Sequence, residues 1–214
     1  MQIAIVLFER FTALDVVGPY EILSRVPDAD VRFVAERPGP VRNESGGLEL
    51  TAGHALDAVT DPDVVLVPGG PGQSDHMTDG PLHGWLRDID ATSTWTTSVC
   101  TGSLILAAAG LLNGRSATSH WLALDQLPGW GAHPREQRVV RDGKYVTAAG
   151  VSAGIDMALT LTGELAGDDR ARAIQLGTEY DPQPPYDAGS PHKAPQRTVD
   201  SLRSRSRFIL QGPS

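Results

Sequence analysis

The sequence predicts an α/β protein, with a mostly parallel central sheet covered by helices on both faces. Three observations carry this. Short apolar runs rich in β-branched residues occur at residues 2–8 and 63–67, which is how strands buried on both faces read, and a further strand is read at 95–99. Helical stretches separate and follow them, so strand and helix alternate along the chain. The breaks are marked by glycine and proline, most densely at Pro68-Gly69-Gly70-Pro71-Gly72.

The elements follow in order. After the strand at 2–8, residues 14–24 read as a short helix. Gly18-Pro19 lies inside it, and proline is tolerated in a first helical turn, so this helix is predicted to begin near Gly18. Residues 30–35 are a second strand, and 41–51 a hairpin around Gly46-Gly47. The strand at 63–67 stops at the Pro-Gly-rich turn. Residues 82–89 are helical, and the strand at 95–99 runs directly into Cys100. A helix over 102–109 ends at Gly110, a C′ residue. Residues 139–141 and 145–148 form a hairpin with Asp142-Gly143 as its type I′ turn. Helices follow at 155–166 and 169–176. The segment 181–195 holds five prolines and is predicted to be extended. A closing helix is predicted over 198–210.

At 214 residues the chain is read as a single domain with enough apolar content for a core. Eighteen Lys and Arg stand against 26 Asp and Glu, a net charge of −8, which removes the electrostatic case for nucleic acid or an anionic membrane. One cysteine, Cys100, excludes internal disulfides and Cys-x-x-Cys sites. The histidines form no metal-binding pair, and no metal is expected. No basic region precedes an apolar stretch at the N-terminus, and the apolar run at 104–112 is too short for a membrane span, so a soluble cytoplasmic protein is expected.

In open α/β sheets, ligands bind beyond the carboxyl ends of the strands. Three loops carry unusual chemistry there: Asp15 after the first strand, the glycine-rich turn after Val67, and Cys100 after Val99. Ser98-Val99-Cys100-Thr101-Gly102 places small residues two positions either side of the cysteine, as a nucleophile elbow at a sharp strand–helix turn requires. The helix that follows offers N–H groups to a thiolate. The Thr101 N–H is a candidate oxyanion donor and Gly70 a candidate second. His120 is a candidate to approach Cys100 from elsewhere in the chain.

A rival is Gly150-Val151-Ser152-Ala153-Gly154, a Gly-x-Ser-x-Gly match followed by Asp181, Asp187 and His192 in hydrolase order. Only an irregular tail follows it, which favours close packing as the role of its small residues. In Asp15-Val16-Val17-Gly18-Pro19-Tyr20-Glu21, a helix beginning near Gly18 lets Asp15 and Glu21 face one cleft, where burial makes a carboxyl an acid at neutral pH. Arg197, Arg203, Arg205 and Arg207 read as a solvated helix face. Tyr20, Trp121 and Trp130 are apolar candidates near the site.

Asp15-x-x-Gly18-Pro19-x-Glu21, the strand-borne Pro68-Gly69-Gly70 and the cysteine elbow resemble the ThiJ/PfpI superfamily, whose fold is the flavodoxin-like, class I glutamine-amidotransferase-like sandwich. Cys100-Thr101-Gly102, Ser119-His120-Trp121, the stretch from Ala149 to Asp156 and that from Tyr180 to Pro191 bring the resemblance nearer to the isonitrile hydratases, over almost the whole chain. The resemblance implies catalysis by Cys100, Asp15 and Thr101 on a small-molecule isonitrile, with no cofactor and as a homodimer. It also matches Glu21 to a glutamate that sits close to the cysteine in many relatives. Many superfamily members carry histidine directly after the cysteine, and Thr101 in its place weakens peptidase and deglycase readings. The same fold occurs fused to an AraC-type DNA-binding module, but no helix-turn-helix follows here, so a regulator is not expected.

Overall fold

A computed structural model describes residues 1–206. Its centre is a seven-stranded sheet of β1 (Gln2–Val6), β2 (Asp30–Ala35), β5 (His54–Ala55), β6 (Val64–Val67), β7 (Trp95–Val99), β10 (Val139–Asp142) and β11 (Tyr145–Ala148). The spatial order is β10-β11-β7-β6-β1-β2-β5. Every pairing is parallel except β10 with β11. Two small sheets stand apart: the hairpin β3 (Gly39–Arg42) with β4 (Glu49–Ala52), and the parallel pair β8 (Ser116–Ala117) with β9 (His133–Pro134). The helices are α1 (Ala13–Leu23), α2 (Pro81–Asp90), α3 (Gly102–Ala108), α4 (Ala153–Ala166), α5 (Asp168–Gly177) and α6 (Gln196–Ser204).

The central strands are covered on both faces. All four residues of β6 and all five of β7 are buried, as expected of parallel strands covered on both faces. The chain passes from β1 to β2 in one direction across the sheet and from β1 to β6 and β7 in the other. The switch point lies between β1 and β6, and the loops at the carboxyl ends of these strands face one another there.

Three expectations are corrected. Helix α1 begins at Ala13, five residues before Gly18, so Pro19 lies in its interior. Packing overrides the lost backbone bond. The Pro19 ring lies over Gly154 of α4, where a side chain would come within 2.9 Å of Pro19 Cγ. The two-residue loop of the β10–β11 hairpin is Gly143-Lys144, one position later than predicted, since Asp142 pairs with Tyr145. Of that pair Gly143 alone has positive φ, the II′ rather than the I′ pattern. Asp142 stays in the ladder, where its carboxylate accepts the Ser116 N–H at 2.7 Å. Residues 181–195 form no helix or strand, and α6 ends at Ser204. Arg207 and the predicted helical end at 207–210 lie outside the described residues. Among those described, no helix is long and apolar enough to cross a membrane.

Candidate active site

Four adjacent strands, β1, β6, β7 and β11, direct their following segments to one place. Cys100 closes β7 with φ +58°, a left-handed conformation that a non-glycine residue adopts at a cost. Its N–H lies within hydrogen-bond reach of both Ala148 O (3.0 Å) and Ala149 O (2.9 Å). Its carbonyl accepts two hydroxyls, from Ser103 at 3.1 Å and Ser119 at 3.0 Å. The turn is therefore pinned on both sides before α3 begins.

Asp15, the third residue of α1, is fully buried beside the thiol. Its Oδ2 accepts the Gly69 N–H at 2.8 Å, while Oδ1 has no N–H or O–H partner. Burial pushes the Asp15 carboxyl up to about 8, against the opposing pull of the Gly69 N–H and the Cys100 thiol; the charge of Glu44 adds to the rise. Burial also pushes the Cys100 thiol well above its ordinary value, and a charged Asp15 would push it further. The backbone N–H groups of Thr101 and Val151 oppose that rise. The resting pair near neutral pH is a protonated carboxyl beside a thiol, and their titration belongs to the pair.

The glycine-rich loop lies directly on the cysteine turn. A Cβ on Gly69 would fall 2.5 Å from Thr101 N and 2.9 Å from Cys100 Cβ, so only glycine fits there. The next N–H, from Gly70, donates to Thr101 Oγ1 at 3.0 Å. Thr101, also fully buried, thus ties the loop to the turn. The Gly70 N–H is engaged by that hydroxyl.

Glu21 does not join this cluster. It forms an ion pair with Arg25 at 2.5 Å, with its side chain about half exposed. The cause is the earlier start of α1: six helical positions from Asp15 turn Glu21 through about 240°, onto another face. Asp15 is the carboxyl at the cysteine. His120 lays its ring on Gly150, where a Cβ would meet its Cδ2 at 2.8 Å, and its Nδ1 accepts the Leu122 N–H at 3.2 Å. It thus borders the segment that carries Val151. Trp121 stacks on His120, with the Arg203 guanidinium 5.7 Å from its ring centroid. Tyr20 packs instead on Phe33 of β2.

Val151 is the participant that sequence reasoning missed. It has φ +32° and contributes through its backbone N–H, so its side chain carries no signal. The cue available was the run of small residues around it. The rival serine is not assembled into a triad. Ser152 is exposed and takes a hydrogen bond from Arg138 at 3.2 Å. His192 pairs with Glu136, and Asp187 with Lys193. Among the described residues, no group of three or more His, Cys, Asp or Glu side chains is arranged to hold a metal ion.

The DJ-1/PfpI family model matches residues 1–164. The chain is 46% identical over 211 residues to an isonitrile hydratase of Pseudomonas putida, covering 99% of this chain and 92% of that protein. It is 34% identical over 146 residues to the HTH-type transcriptional regulator CdhR of Pseudomonas aeruginosa, of which it spans 42%. The crystal structure of a ThiJ/PfpI family protein from Pseudomonas syringae superposes with a TM-score of 0.93 at 39% identity, covering 95% of this chain and 85% of that one. On its sequence and its fold, this chain belongs to the DJ-1/PfpI family.

Proposed function

We propose that the chain is an enzyme of the hydratase type, an isonitrile hydratase, adding water to an isonitrile to give an N-substituted formamide. The observation that carries this is the buried Cys100–Asp15 pair, with the carboxyl held protonated near neutral pH. Identity of 46% over nearly the full length to a hydratase of that kind supports the reaction class.

The chemistry suits the pair. An isonitrile ends in a slender carbon that must gain a nucleophile and a proton. Cys100 Sγ forms a bond to that carbon while Asp15 delivers its proton to the same carbon and recovers one from the thiol. The product is a thioimidate, R–N=CH–S–Cys100. Such covalent catalysis divides one difficult addition into easier steps. Asp15 next gives that proton to the nitrogen and takes one from water as the water oxygen adds to the carbon, giving R–NH–CH(OH)–S–Cys100. Collapse breaks the C–S bond, forms the formyl C=O and returns a proton to sulfur. The net change is R–NC plus H₂O to R–NH–CHO.

The N–H groups of Thr101 and Val151 stabilise negative charge on sulfur during attack and release. Thr101 supports the reaction by holding the glycine-rich loop through its hydroxyl, and we assign it the placement of the water or the substrate nitrogen. A second order of events, in which Asp15 activates water directly and Cys100 donates the proton, is compatible with the same raised thiol. A formimidoyl mass adduct on Cys100, trapped by acid quench, selects the covalent order. Its absence under turnover selects the other. The homodimer implied by the family resemblance is part of this proposal, and light scattering tests it.

The deciding experiment is proton NMR of a cycloalkyl isonitrile with wild type and with Cys100→Ala. A formyl signal that grows with wild type alone supports the reading. No formyl signal across several isonitriles overturns it.

A further inference from the structure

We propose that Ser119 is a positioning residue for Cys100, acting through the peptide between Cys100 and Thr101. The Cys100 carbonyl accepts two buried hydroxyls. Ser103, three residues on, is a local partner of the kind found in many turns. Ser119 is not local: it comes from the segment before β9, nineteen residues away in sequence. A carbonyl oxygen has two lone pairs, and these two hydroxyls fill both.

The consequence lies on the other side of the same peptide. In a planar trans peptide the C=O and the N–H point in opposite directions. Gripping the Cys100 oxygen therefore fixes where the Thr101 N–H points, and that N–H is one of two backbone groups that pull the thiol back from where burial alone would put it. Hydroxyl donation to the carbonyl also polarises the peptide and strengthens its N–H as a donor. Cys100 is held at φ +58°, away from its preferred conformation, so the aim of this peptide depends on such external holds. The residue after Ser119 is His120, whose ring lies on Gly150 next to Val151. One short segment thus touches the supports of both backbone N–H groups that pull the thiol down. The role in turnover rests on the hydratase reading, but the effect on the thiol does not.

The test uses the full chain with Ser119→Ala, Ser119→Thr and Ser103→Ala. Cys100 is the only cysteine, so modification by methyl methanethiosulfonate followed by mass reports it alone. Loss of one hydrogen bond to the carbonyl should slow modification by about threefold to tenfold at fixed pH and move its pH profile to the alkaline side. The Thr101 amide proton resonance should shift upfield. With an isonitrile substrate, kcat should fall by a similar factor while KM stays within about twofold. Ser119→Thr, which keeps the hydroxyl, should recover both the rate and the amide shift. Ser103→Ala should move the same readouts in the same direction by less. A folded Ser119→Ala protein with a wild-type modification profile and Thr101 amide overturns the proposal. So does a Ser119→Thr protein as impaired as Ser119→Ala. If Ser119→Ala does not fold, an unchanged profile in Ser103→Ala overturns it. If wild type makes no formamide, the hydratase reading falls while the modification and amide data still decide this inference.

Discussion

Two strand-to-helix junctions in this molecule look alike in sequence and differ in what they hold. One runs from β7 through Cys100 into α3; the other runs from β11 through Val151 and Ser152 into α4. Each is rich in small residues, each carries a side chain able to act as a nucleophile, and each contains a non-glycine residue with positive φ. At the first junction the reactive atom is buried beside a carboxyl that can give and take a proton. At the second the hydroxyl faces solvent and is bound by Arg138, which also pairs with Asp156, and Asp156 accepts the Tyr180 hydroxyl at 2.7 Å. On the proposed reading, the better match to a nucleophile motif is the structural junction. A short motif records how tightly a turn is built, whereas a proton partner and a low-dielectric setting distinguish the reactive one.

The largest expected effect breaks the symmetry outright. Cys100→Ala should remove formamide production to below detection, read by NMR of the formyl proton, because the bond-forming atom is gone. Asp15→Asn should lower kcat by about a hundredfold to ten-thousandfold, the range for losing a general acid–base group. In wild type, activity should fall as the pH rises through about 8, where the carboxyl loses its proton. The same carboxyl links stability to pH. Below about 4 both folded and unfolded chains carry the proton. Between there and about 8 the unfolded chain has released it while the folded chain has not, so stability falls as the pH rises, then levels off. Asp15→Asn should flatten this slope in denaturant titrations and raise Tm at pH 8, and an unchanged slope would show that Asp15 is not the group responsible.

Packing separates the junctions next. A Cβ on Gly102 would lie 2.1 Å from the Val67 carbonyl oxygen, a backbone atom that cannot swing aside. Gly102→Ala should therefore cost about 3 kcal/mol or more, measured by urea unfolding. The smallest effects belong to the second junction. Ser152→Ala should leave kcat/KM within about threefold of wild type, as surface substitutions usually do. A Ser152→Ala enzyme without activity would reverse the assignment of the two junctions.

Much of this was legible in the sequence, for definite reasons. The strands β1 and β6 announce themselves because both faces must be apolar, Cys100 and Thr101 stand out where β7 ends, and Asp15 stands out in the segment after β1. The start of α1 was hidden because Pro19 argues locally against a helix that Gly154 of α4 supports from a distance. That error placed Glu21 beside Asp15, when the longer helix turns it toward Arg25. Val151 was hidden for another reason. Its contribution is a backbone N–H, which every residue except proline possesses, so only the fold selects it.

The rim of the main sheet has its own consequence. At one end the sheet stops at β5, only two residues long. At the other it closes with an antiparallel hairpin whose outer strand, β10, has four residues and includes Arg141 and Asp142. Brief, charge-bearing margins offer little template for a stranger's backbone, which is how sheets resist fusing into one another. Among the described residues, the margins of the main sheet therefore give strand-to-strand growth, and the aggregates it seeds, little to start from.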